Sequence, residues 1–149
     1  LPMKDYLEPG CYINYFYGSP WSEHGSGCFS PAIITAANNF LHDNNSNLTA
    51  QSLSYSSVNT LFNELTKGHP VIVWTCFNYD AEVSYIDIDI GNGQTFSWPT
   101  NEHCTVLTGF DLTTSTVTLT DPTYGIIERS IEEFSYYYKM YFYQAVVIK

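Results

Sequence analysis

The stretch Pro70-Val71-Ile72-Val73-Trp74-Thr75-Cys76 constrains this chain more than any other. It is β-branched and apolar almost throughout and no longer than a strand, the pattern of a strand covered on both faces. What precedes it reads as helix. Ile33, Ala36, Ala37 and Phe40 recur at i, i+3, i+4 and i+7, which predicts a helix from about Ser30 to His42. Ser30 is placed to cap it, and Pro31 suits the first helical position. Asp43-Asn44-Asn45-Ser46-Asn47 ends it with turn formers. A second helix is expected from about Ser57 to Thr66, with Leu61, Phe62 and Leu65 as its apolar stripe and Lys67-Gly68 closing it.

After Pro70 the pattern is strands. Val83 to Ile88 and Thr95 to Trp98 flank Gly91-Asn92-Gly93, a hairpin signal. His103 to Gly109 and Thr116 to Thr120 form two more strands around a polar turn at Asp111 to Ser115, and Tyr124 to Arg129 adds another. Ser130-Ile131-Glu132-Glu133 reads as a capping box opening a short helix, and Gln144 to Ile148 as a closing strand. Helices first and strands second make an α+β fold. A single domain over 1–149 is expected, with an irregular segment 1–29, a helical part 30–67 and a β-rich part 70–149. The first segment is punctuated by Leu1-Pro2, Pro9-Gly10, Gly18-Ser19-Pro20 and Gly25-Ser26-Gly27.

Charge narrows the function. Five Lys plus Arg stand against fifteen Asp plus Glu, a formal charge of -10. No basic stripe exists to neutralise phosphates, which excludes nucleic acid as a partner, and an anionic membrane surface would repel the chain. No apolar run approaches the ~20 residues that span a bilayer. An aromatic share of 17% argues against disorder despite the charge. The acidic, lysine-poor composition leans towards an extracellular or cell-surface protein. Cys11, Cys28, Cys76 and Cys104 contain no C-x-x-C pair, so neither a zinc ribbon nor a disulfide scaffold is indicated.

Three short stretches could carry chemistry. Gly27-Cys28-Phe29-Ser30-Pro31 sets a thiol beside a helix N-terminus, whose partial positive charge favours thiolate. Asn101-Glu102-His103-Cys104 delivers a histidine at the start of an apolar strand, and Thr120-Asp121-Pro122 ends the following strand with a carboxylate. Hairpin neighbours would bring His103 and Asp121 to one end of the sheet, where a carboxylate can hold an imidazole tautomer for base catalysis. Each has a plain alternative: a small core cysteine, a surface histidine, an Asp-Pro turn. Their order, Cys then His then Asp, is that of a papain-like nucleophile, base and orienting residue. His24, His42 and His69 lack a strand-end setting and read as surface residues. A metal site from Cys28, His103 and Cys104 has no support in the spacing beyond residue type, so neither a metal nor a cofactor is implied.

From Leu65 to Ile148 the sequence resembles the C39-like cysteine peptidases, relatives of bacteriocin-processing peptidase domains with a papain-like fold. The resemblance rests on Leu65-x-Lys67-Gly68-x-Pro70-Val71-Ile72-Val73-Trp74 and on Asn101-Glu102-His103 running into Val106-Leu107-x-Gly109-Phe110-Asp111. It continues through Val117-x-Leu119-x-Asp121-Pro122 and Gln144-Ala145-Val146-Val147. It implies N-terminal helices packed on a mostly antiparallel sheet, a peptide or protein substrate, His103 as catalytic base and Asp121 as its orienting acid. The family's nucleophile opens a long helix early in the domain, after a Gln that supplies the oxyanion hole. Here Cys28 matches a different Gly-Cys segment, a helix after Gly10-Cys11 would collide with Gly18 and Pro20, and no Gln precedes either cysteine. The expectation is therefore a chain that begins downstream of the nucleophile helix, with Cys28 as the candidate nucleophile. A partner chain or a homodimer would then cover the exposed apolar face. The alternative function is a catalytically inactive C39-like domain that binds protein or cell-wall material, using aromatics such as Tyr136, Tyr137 and Tyr141.

Overall fold

A computed structural model describes residues 1–4, 13–22 and 27–149. The elements run β1 (Met3–Lys4), β2 (Phe16–Tyr17), α1 (Ser30–Asp43), β3 (Ala50–Ser52), α2 (Val58–Leu65) and β4 (Val71–Cys76). They continue with β5 (Tyr85–Gly91), β6 (Gln94–Pro99), β7 (Glu102–Asp111), β8 (Thr116–Asp121), β9 (Gly125–Ser130), α3 (Ile131–Met140) and β10 (Ala145–Ile148). The fold is α+β with a mostly antiparallel sheet. The chain divides into two compact units, one formed by Leu1–Ala50 with Val83–Thr100 and the other by Gln51–Glu82 with Asn101–Lys149.

In the first unit β1 and β2 pair in parallel, two short strands within a segment that the sequence marks only as irregular. β5 and β6 form the expected hairpin. Asn92 and Gly93 at its tip both have positive φ (56° and 70°), the geometry of a tight turn whose twist matches the strands. The side chain of Asn38 on α1 donates to the Ala50 carbonyl (3.1 Å) and accepts from its amide (2.8 Å). Phe29 stacks on Trp98 with ring centroids 4.7 Å apart. Ser30 does not cap α1: it is already the first helical residue, Phe29 holds the cap position, and Phe29 brings no side-chain cap bond.

The second unit carries the six-stranded sheet, in the order β3-β10-β4-β7-β8-β9. Side chains alternate across a strand, so the register fixes which residues share a face. Val71 opposes Leu107, Val73 opposes Ala145 and Leu107 opposes Leu119. These residues and Val117 join Leu61 and Phe62 of α2 and Phe134 and Tyr138 of α3 in one buried cluster. Trp74 and Val146, on the other face of the same strands, are buried as well, as the unbroken apolar run in β4 predicts. α2 and α3 are both capped by serine: Ser57 accepts from the Thr60 amide at 3.3 Å and Ser130 from the Glu133 amide at 3.1 Å.

Leu107 is central to this cluster and fully buried. Leu107→Ala is expected to cost about 2–5 kcal/mol of unfolding free energy, measurable as a lower urea midpoint at unchanged slope. A loss under about 1 kcal/mol would contradict the packing described.

Candidate active site

β7 starts at Glu102, and its third position, like its second, is set by the pairing with β4. Thr75 opposes His103, and Val73 opposes Thr105. His103 therefore points to the same side as Val73 and Leu107. On the next strand Leu119 opposes Leu107, so Asp121, two residues on, shares that side too. The two meet: His103 Nε2 lies 2.7 Å from Asp121 Oδ2, with only 14% and 4% of their side chains exposed. Burial at that level keeps the bond largely out of competition with water.

The carboxylate is held from its other oxygen. Asp121 Oδ1 accepts from the amides of Thr123 (2.7 Å) and Tyr124 (3.0 Å), so the turn after β8 folds back onto its own first side chain. Burial pushes the Asp121 carboxyl up, but the Tyr124 and Thr123 amides and the neighbouring His103 pull it down, and the net result is below the ordinary value. An ionised Asp121 accepts from Nε2–H, which leaves Nδ1 without a hydrogen-bond partner among the described residues and free to take a proton. The ring is also fixed from the side. Phe77 meets it edge-on at 5.0 Å and 88°, and Tyr124 lies 5.3 Å from Phe77.

Phe77 is in turn held by Asn101, two residues before His103. Asn101 adopts φ 61°, and its carbonyl accepts from the Phe77 amide at 2.9 Å. Its side chain donates to Asn78 O and to Cys76 Sγ, each at 2.8 Å, and accepts from the Asn78 amide at 3.1 Å. Neither Phe77 nor the bracing role of Asn101 is evident from the sequence. An Asn just before the strand, able to take a left-handed conformation, was the available signal.

The thiols differ in what they can do. Cys104 follows His103 directly and so points to the opposite face of β7, across from Trp74. Cys104 and His103 thus do not converge on one ion or one substrate atom. Cys76 donates to Asn78 O at 2.8 Å, and burial raises its thiol above the ordinary value despite hydrogen bonds with Tyr141 and Asn78, the reverse of activation. Cys28 is a buried thiol two residues before α1, in the first unit. Cys11 and His24 lie outside the described residues. His42 is exposed beside Asp43, whereas His69 is half-buried, 2.9 Å from Glu64. Among the described residues no group of three His, Cys, Asp or Glu side chains could hold a metal ion, and no helix is long and apolar enough to cross a membrane.

The profile of the Peptidase_C39 like family matches residues 3–146. The chain belongs to that family. A crystal structure of a Bacillus anthracis protein described as a C39-like peptidase superposes with a TM-score of 0.82, covering 99% of this chain and 74% of that one. The two are 22% identical, so the likeness is one of fold. No curated protein matches the sequence. The C39-like architecture thus holds in three dimensions, with the His103–Asp121 pair on adjacent strands of its sheet.

Glu102, next to His103 but on the other face of β7, titrates unusually. Burial pushes its carboxyl up from 4.5 to about 8. Between those values the unfolded chain is ionised there and the folded chain is protonated, so stability falls as pH rises through that window. Glu102→Gln is expected to remove this fall, giving a melting temperature that changes less between pH 5 and 8 than the wild type's. An equal or steeper fall in the variant would contradict the assignment.

Proposed function

We propose that the protein hydrolyses peptide bonds through a thiolate, with Cys28 as nucleophile, His103 as general base and Asp121 as the residue that orients it. Membership of the family supports the reaction class. The observation that supports it best within the chain is the buried His103–Asp121 hydrogen bond, which leaves Nδ1 as the ring nitrogen able to exchange a proton. Cys28 is favoured among the described thiols by position. Its segment precedes the positive end of α1, where no side chain caps the helix, and that field favours thiolate.

In the proposed reaction Nδ1 of His103 takes the proton of the nucleophilic thiol while the sulfur attacks the peptide carbonyl carbon. The tetrahedral intermediate collapses with cleavage of the C–N bond, and the imidazolium returns its proton to the departing amine. Water then gives a proton to the same nitrogen as it attacks the thioester. The acid product leaves and the thiol is restored. Asp121 holds Nε2 throughout and stabilises the imidazolium without taking its proton.

Incubation with a proteome-derived peptide mixture, read by mass spectrometry, tests this. New termini are expected that iodoacetamide suppresses. Cys28→Ala and His103→Ala are each expected to lower kcat/KM by about 1,000-fold or more, Asp121→Asn by about 100-fold or more, and Cys11→Ala to leave it unchanged. Hydrolysis that survives removal of every thiol would falsify the mechanism. A folded protein that cleaves nothing but retains a specific protein or cell-wall ligand would support the inactive binding module instead.

A further inference from the structure

The sheet face that carries the dyad does not end at it. β9 pairs with β8 so that Gly125 opposes Asp121, Ile127 opposes Leu119 and Arg129 opposes Val117. Asp121, Ile127 and Arg129 therefore face the same way, and Arg129 lies four residues along β9 from the position beside Asp121, roughly 13 Å at the rise of a strand. A hollow of about 460 Å³ follows that line. At the dyad end its walls are Phe77, whose ring touches His103, and Tyr124, whose amide holds Asp121. At the far end are Arg129 and Glu133, with Tyr79 and Asp80 on the loop after β4. A second hollow of about 510 Å³, lined by Glu132, Glu133, Tyr136 and Tyr137, shares Glu133 with it.

The charges in this trough are unequal. The Arg129 guanidinium is already engaged: it stacks 4.5 Å over Tyr79, gives a hydrogen bond to the Glu128 carbonyl at 3.1 Å, and its Nε lies 4.0 Å from Glu133. It offsets one carboxylate. Asp80 and Glu132 have no ion-pair partner among the described residues, so the trough is left with net negative charge between aromatic rings. Such walls suit a side chain with an apolar stem and a cationic head, which packs its methylenes on Phe77, Tyr124 and Ile127 and sets its charge against the carboxylates and ring faces.

We propose that this trough is a substrate subsite that selects peptides bearing Lys or Arg within about four residues of the scissile bond. The inference rests on the reading of His103 and Asp121 as the reacting end. The rest of the molecule agrees in sign, since a chain of formal charge -10 attracts cationic peptides at long range.

Binding separates this proposal from the chemistry. Three fluorescein-labelled decapeptides, identical except for two central positions occupied by Lys, norleucine or Glu, are titrated by polarisation against the Cys28→Ala protein. This variant keeps both hollows and hydrolyses nothing if the mechanism holds. The Lys peptide is expected to bind about tenfold more tightly than the norleucine peptide at low ionic strength, with Glu weakest and the gap narrowing in high salt. Asp80→Asn with Glu133→Gln is expected to bring the Lys to norleucine ratio within about twofold. Asp80→Asn alone, on an exposed loop, is expected to reduce it in part should the double variant not fold. Equal affinity for the three peptides, or a ratio unmoved by both variants, overturns the subsite. Selective Lys binding by a protein that cleaves no peptide leaves the subsite standing and overturns only the hydrolytic reading. Cleavage in wild type with no basic preference does the opposite.

Discussion

A single carboxylate ties this structure together. Asp121 is almost wholly buried, and a buried charge is tolerable only if its lone pairs are used. Two backbone amides occupy one oxygen and the imidazole of His103 the other. Each partner comes from a different level of the fold. The amides require the Asp121-Pro122-Thr123-Tyr124 turn, and the imidazole requires the pairing of β7 with β8. A slip of one residue between those strands would send His103 to the other face of the sheet and leave the carboxylate with an empty oxygen. The register is therefore enforced from two sides, by the apolar residues Leu107 and Leu119 within the core and by the polar pair at its edge.

The supporting shell extends from there without reaching for new elements. Asn101, in a left-handed conformation, joins the start of β7 to the end of β4 and sets Phe77 against the imidazole. The same Phe77 forms one wall of the hollow that leads away along β9. One short loop after β4 thus borders both the His103 ring and the trough beside it. Asp80 on that loop and Glu132 in the first turn of α3 give the trough its sign, while Arg129 is taken up by Tyr79 and Glu133.

Much of this was legible in the residues themselves. The β4 run, the Gly91-Asn92-Gly93 turn and the Ser130 capping box each state their structure within a few positions, because a strand pattern, a positive φ and a helix cap are local requirements. His103 and Asp121 could be placed at one end of the sheet because successive strands joined by a short turn are neighbours. Other features depended on contacts the chain order does not reveal. The three-residue strand β3 carries no pattern long enough to read, and it exists because β10 pairs with it. Ser30 had the right chemistry to cap α1, yet the helix starts one residue earlier than a cap at that position requires, so Phe29 takes the place. Phe77 reads as the end of an apolar run, and its position against His103 follows only from the hydrogen bonds that Asn101 makes across 25 residues of sequence.

The site depends on the proton held between Asp121 and the imidazole of His103. Long-range ¹⁵N–¹H correlation of the ring nitrogens reads it directly, on wild type and Asp121→Ala at neutral pH. A proton resident on Nε2 of His103, shifted downfield by a short hydrogen bond and lost or moved upfield in the variant, is the predicted result. An unprotonated Nε2, or a spectrum indifferent to removal of the carboxylate, would contradict it.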